Sequence, residues 1–79
     1  MQSTSVNVVR TALEKTLNTL LPELENGDNF VENGTLDSID TFTFLFELDK
    51  AVGYKILEDH EITNEVFTIN YLSEIIDGR

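Results

Sequence analysis

This 79-residue chain predicts an all-α domain, a small four-helix bundle of three main helices plus a short third helix. Two observations carry the reading. Apolar residues recur at three- and four-residue steps in three separate stretches, the period of an amphipathic helix. The alternation that a half-buried strand needs is too weak anywhere to support a sheet. The length fits one domain over 1–79, near the size where a single core only just suffices.

From Ser5 onward, Val6, Val9, Leu13, Leu17, Leu20 and Leu24 keep helical spacing, and Pro22 is the first residue that stops the helix. Arg10 and Glu14, one turn apart, form an expected same-face charge pair. Residues 22–37 make a long acidic connection with turn signals at Asn26-Gly27-Asp28 and Asn33-Gly34. So long a connection needs anchors, and Leu24, Phe30, Val31 and Leu36 are the apolar residues available. A calcium loop is excluded, because counting from Asp28 or Asn29 puts Phe30 or Val31 at the third ligand position.

The second helix runs from about Ser38 to Val52, with Asp37 or Ser38 as its cap and Gly53 closing it. At roughly 100° per residue, Thr41, Phe44, Leu45, Leu48, Ala51 and Val52 share one face and are expected in the core. Ile39, Phe42 and Phe46 share the opposite face, among Thr43, Glu47, Asp49 and Lys50. A domain this small can hardly bury both faces, so the second stripe is expected to be wet. Exposed apolar clusters rimmed by charge mark docking surfaces. Tyr54-Lys55-Ile56-Leu57 reads as briefly extended, Ile62 with Val66 as one face of the short third helix. Thr68 caps the last helix, with Ile69, Leu72, Ile75 and Ile76 at helical spacing and Asp77-Gly78-Arg79 as its stop.

Lys+Arg 5 against Asp+Glu 15 gives a formal net charge of -10. Such a surface repels nucleic-acid phosphates and anionic lipid heads, leaving positively patched proteins as the natural partners of a monomer. Self-repulsion predicts that salt and divalent cations stabilise the fold. The melting temperature should rise with added magnesium, and indifference to it would contradict this expectation. Without cysteine there is no disulfide, thiolate zinc site or thiol nucleophile. His60 is the only histidine and reads as a solvated side chain rather than a metal ligand. No Ser/His/Asp arrangement, glycine-rich phosphate loop or metal-ligand spacing points to an enzyme. The first residues lack the blocks of a secretion signal, and no apolar run reaches membrane-spanning length, so the expected location is the cytoplasm.

The segment Gly34-Thr35-Leu36-Asp37-Ser38-Ile39-Asp40 joins a turn to a helix and places a hydroxyl at the helix mouth. Unpaired amides and the positive dipole end favour a phosphate there. The simplest reading of Ser38 alone is a cap. Asp37-Ser38-Ile39, however, lies between Phe30-Val31-Glu32 upstream and Phe46-Glu47-Leu48 through Val52-Gly53-Tyr54-Lys55-Ile56 downstream. Together these segments resemble the acyl carrier protein family over roughly 30–76, without a gap between Phe30 and Ile56.

The resemblance implies a carrier of acyl or aminoacyl thioesters on 4′-phosphopantetheine attached to Ser38. It implies that Asp37 and Asp40 help orient a phosphopantetheinyl transferase and its metal-bound coenzyme A. Ile39, Asp40, Phe42, Phe46 and Glu47 would form the docking surface for that transferase, a loading enzyme, and synthase or transferase enzymes. Ile39 replaces the usual leucine, and Thr43, Lys50 and Ala51 stand where the family typically has acids. Recognition should therefore lean more on apolar contact than on charge, as in a freestanding specialised member. Fatty-acid, polyketide, aminoacyl and D-alanyl cargo all stay open. The alternative, from another class, is an acidic interaction module with a carrier-like fold that is never pantetheinylated and docks a partner through the second helix.

Overall fold

A computed structural model describes residues 4–78. The readings made of Met1, Gln2, Ser3 and Arg79 lie outside them. Three α-helices, α1 (Thr4–Leu17), α2 (Ser38–Val52) and α3 (Ile69–Asp77), form the architecture. The expected short third helix is present as a single 3-10 turn, Asn64–Val66. Among the described residues there is no strand. α1 packs against both α2 and α3, so the core is centred on its buried stripe of Val6, Val9, Ala12 and Leu13.

α1 ends before Pro22, and for a different reason. Asn18 adopts a left-handed φ of 53°, and the Thr19 amide reaches back to the Glu14 carbonyl at 3.1 Å. That six-to-one bond around a left-handed residue is a Schellman stop, a conformation asparagine tolerates better than most residues. Leu20 therefore falls outside the helix and is exposed, whereas Leu24 is buried from within the connection. The Arg10–Glu14 pair is also replaced. Arg10 donates to the carbonyls of Leu21 (2.8 Å) and Leu24 (2.6 Å) and to Asn26 Oδ1 (3.1 Å). Glu14 accepts from the Leu21 amide at 3.1 Å. Both side chains tie the connection to α1, because half-buried carbonyls there have no helical partners and need donors.

Leu24, Phe30 and Leu36 are buried as anchors, and Val31 packs against the same core. The Phe30 ring meets Phe44 edge-on at 5.2 Å and Phe67 at 6.2 Å. Its amide donates to the Phe67 carbonyl, and its carbonyl accepts from Leu36 at 2.8 Å. The connection between α1 and α2 thus forms part of the interior.

On α2, Phe44 and Leu48 are fully buried and Leu45 and Val52 partly so. Ala51 is exposed, a correction to its expected core place. It lines a shallow groove with Val8 and Ala12 of α1 that no further element covers. Gly53 closes the helix with φ 87°, and its amide bonds the Asp49 carbonyl. Residues 54–57 are not extended: Ile56 and Leu57 are buried within turns, and the Asp49 carboxylate takes the Ile56 amide at 3.0 Å. Ile62 and Val66 do not share a face, since Val66 is buried and Ile62 exposed. Thr68 caps α3 by accepting from the Tyr71 amide at 3.0 Å. Ser5 of α1 donates to Asp77 at the far end of α3, closing the bundle.

Candidate functional site

α2 begins because Asp37 is extended, with φ -88° and ψ -173°, and its Oδ1 accepts from the Asp40 amide at 2.8 Å. Asp37, not Ser38, is therefore the cap. The Thr41 amide and hydroxyl both bond the Asp37 carbonyl, at 2.9 and 2.7 Å, fixing the first turn. Ser38 is the first helical residue and is exposed. Among the described residues its hydroxyl has no hydrogen-bond partner. A phosphate attached to that oxygen would meet the positive end of α2, where first-turn amides lack partners within the helix.

Ile39, Phe42 and Phe46 are 76%, 75% and 63% exposed. Those values decide between core and surface: the stripe is wet. It starts beside Ser38 and follows α2 at steps of three and four, so the hydroxyl and the apolar ridge share one end of one rigid element. The Lys50 ammonium lies 5.4 Å from the Phe46 ring centre, in the range of a cation–π contact.

Ser38, Ile39, Phe42 and Phe46 thus lie on the exposed side of α2, with Asp37 before its first turn and the half-buried Asp40 turned toward another side. Glu47 stands apart from the ridge. Its carboxylate faces α1, bridging Lys15 at 3.7 Å and Lys50 at 3.5 Å. Of the asparagines that shape the approach, the sequence reading named Asn33 as a turn residue with Gly34 and missed Asn29. Asn29 Oδ1 accepts from the amides of Val31 and Glu32, and Asn33 Oδ1 from the amide and hydroxyl of Thr35. The signal was present, because asparagine two residues before an amide is an Asx-turn former.

Comparison with known proteins finds no matching family model, curated protein or solved structure. What the surface can do follows from its own geometry. It offers an exposed alcohol, and among the described residues the one histidine, His60, does not neighbour it. His60 lines a separate cleft of about 510 Å³ with Lys55, Ile56, Asp59, Tyr71, Glu74, Ile75 and Gly78, none of them from α2. Among the described residues no group of three or more His, Asp or Glu side chains is placed to hold a metal ion. No helix among them is long and apolar enough to cross a membrane.

Proposed function

We propose that the chain is an acyl carrier protein of the specialised, freestanding kind, a monomeric cytoplasmic domain with a carrier-like four-helix bundle. The observation that carries this reading is the division of labour at the start of α2: Asp37 caps the helix, which leaves the Ser38 hydroxyl exposed and unbonded. A hydroxyl held by its own helix would have to break that bond before reacting. The residues present fit 4′-phosphopantetheine, since a phosphodiester on the exposed Ser38 Oγ would lie at the positive end of α2. Once bound, the group supplies a terminal thiol that carries acyl or aminoacyl cargo as a thioester.

The chain's own residues do the rest. Ser38 Oγ would take the phosphopantetheinyl group from coenzyme A, giving its proton to a base on the transferase as the adenosine bisphosphate portion leaves, and the dipole of α2 would offset part of the new charge. Asp37 and Asp40, neighbours of Ser38 in the cap and first turn of α2, help orient the transferase. Ile39, Phe42 and Phe46 give transferase, loading enzyme and synthase an apolar ridge to seat on. Tethering raises the cargo's effective concentration at each partner in turn.

Incubation with coenzyme A and a promiscuous phosphopantetheinyl transferase tests the reading. The wild-type intact mass should rise by one phosphopantetheine, and Ser38→Ala should gain nothing. Wild-type protein that stays at its starting mass would leave the acidic interaction module as the better account.

A further inference from the structure

Two Asn-Gly pairs, Asn26-Gly27 and Asn33-Gly34, lie in the connection between α1 and α2, and the fold holds them differently. We propose that Asn33 is a site of spontaneous deamidation whose rate Thr35 raises, and that the fold protects Asn26. In the reaction, the Gly34 amide nitrogen loses its proton to hydroxide and attacks Asn33 Cγ. The new C–N bond pushes negative charge onto Oδ1. Collapse of that carbon expels Nδ2, which takes a proton from water and leaves as ammonia, giving a five-membered succinimide. Water then opens the ring at either carbonyl, yielding aspartate or isoaspartate at this position.

Three features favour the step at Asn33. Gly34 has φ 83° and nothing within 4 Å of where a Cβ would stand, so neither a side chain of its own nor a neighbour crowds the residue that must turn. Asn33 is exposed, and the bond its neighbour must release, from the Gly34 amide to the Val31 carbonyl, is a 3.2 Å turn bond at the surface. Most tellingly, Oδ1 receives the Thr35 amide at 2.9 Å and the Thr35 hydroxyl at 2.6 Å. Two donors aimed at the oxygen that becomes anionic lower the barrier as an oxyanion hole does.

Asn26 also has a donor on its oxygen, Arg10 Nη2 at 3.1 Å, so polarisation alone does not separate the pairs. The backbone does. The Asn26 carbonyl accepts from the Asn70 amide of α3 at 3.0 Å, and a Cβ at Gly27 would lie 3.8 Å from Asn70 Nδ2. Turning the Gly27 nitrogen onto Asn26 Cγ would break the link to α3. The product at Asn33 adds a carboxylate to a chain already at -10, and the isoaspartyl form lengthens the main chain of the turn leading to Asp37 and Ser38. The chemistry is independent of the carrier reading.

The test is to hold the folded full-length protein in warm, mildly alkaline buffer and map its peptides by mass over time. The Asn33 peptide should gain about one mass unit and show isoaspartate, faster at higher pH, while the Asn26 peptide stays unchanged. In urea the two sites should react at similar rates. Thr35→Val should slow Asn33 several-fold, and Thr35→Ser should keep the wild-type rate. Urea midpoints that match among wild type, Thr35→Val and Thr35→Ser separate loss of the hydroxyl bond from loosening of the turn. Equal rates at both asparagines in folded protein, or an unchanged rate in Thr35→Val, would overturn the proposal.

Discussion

Phe30→Ala should remove most of the stability of the fold. Phe30 is fully buried, touches Phe44 and Phe67 edge-on, and belongs to a connection rather than a helix. Truncating a buried phenylalanine costs about 3–5 kcal/mol, through lost transfer energy and the cavity left behind. A 79-residue domain has in total about 4–12 kcal/mol to lose. Leu24 and Leu36 are its other buried apolar anchors, and Leu36 is hydrogen-bonded to Phe30 itself, so what else holds the connection is largely polar, through Arg10, Glu14 and Asn70. Urea unfolding followed by circular dichroism should show a transition moved most of the way to zero denaturant. A loss below about 1 kcal/mol would mean that the connection lies on the core rather than in it.

The double change Phe42→Ala with Phe46→Ala should do the reverse, leaving stability alone and damaging partner encounters. Both rings are mostly in water, so their removal forfeits little burial energy, and the unfolding midpoint should stay within about 0.5 kcal/mol of wild type. Phenylalanine is among the aromatic residue types enriched at interface cores, where a few residues carry most of the binding energy. The kcat/KM for phosphopantetheine transfer should fall about tenfold or more, equivalent to about 1.4 kcal/mol. Added salt should weaken the wild-type encounter only modestly, because the ridge recognises its partner more by apolar area than by charge. A destabilised variant with unaltered transfer would make these rings structural.

Sequence pattern made α2 legible almost throughout, because its two apolar faces differ in register and Gly53 closes it in the left-handed region. The wet stripe followed from geometry: a three-helix domain cannot cover both sides of its central segment. Leu24, Phe30 and Leu36 were legible as anchors for a similar reason, being the apolar residues of a polar connection. The end of α1 was not. Leu20 and Leu24 continue the helical period by coincidence, and Pro22 is a louder stop than Asn18, whose left-handed turn depends on carbonyls finding partners. Arg10 misled in the same way, since its acceptors come from residues brought near only by folding. Ile62 and Val66 share a spacing but not a helix, because only one 3-10 turn forms between Thr63 and Phe67. At the site, sequence left both Asp37 and Ser38 as candidates for the cap. One hydrogen bond, from the Asp40 amide to Asp37 Oδ1, separates the residue that caps from the residue left open.

Locating the adduct tests that separation most directly. After transferase treatment with coenzyme A, fragmentation of the modified protein should place phosphopantetheine on Ser38 and on no other serine or threonine. Recovery of the unmodified chain, or of an adduct on any other hydroxyl, would contradict the account.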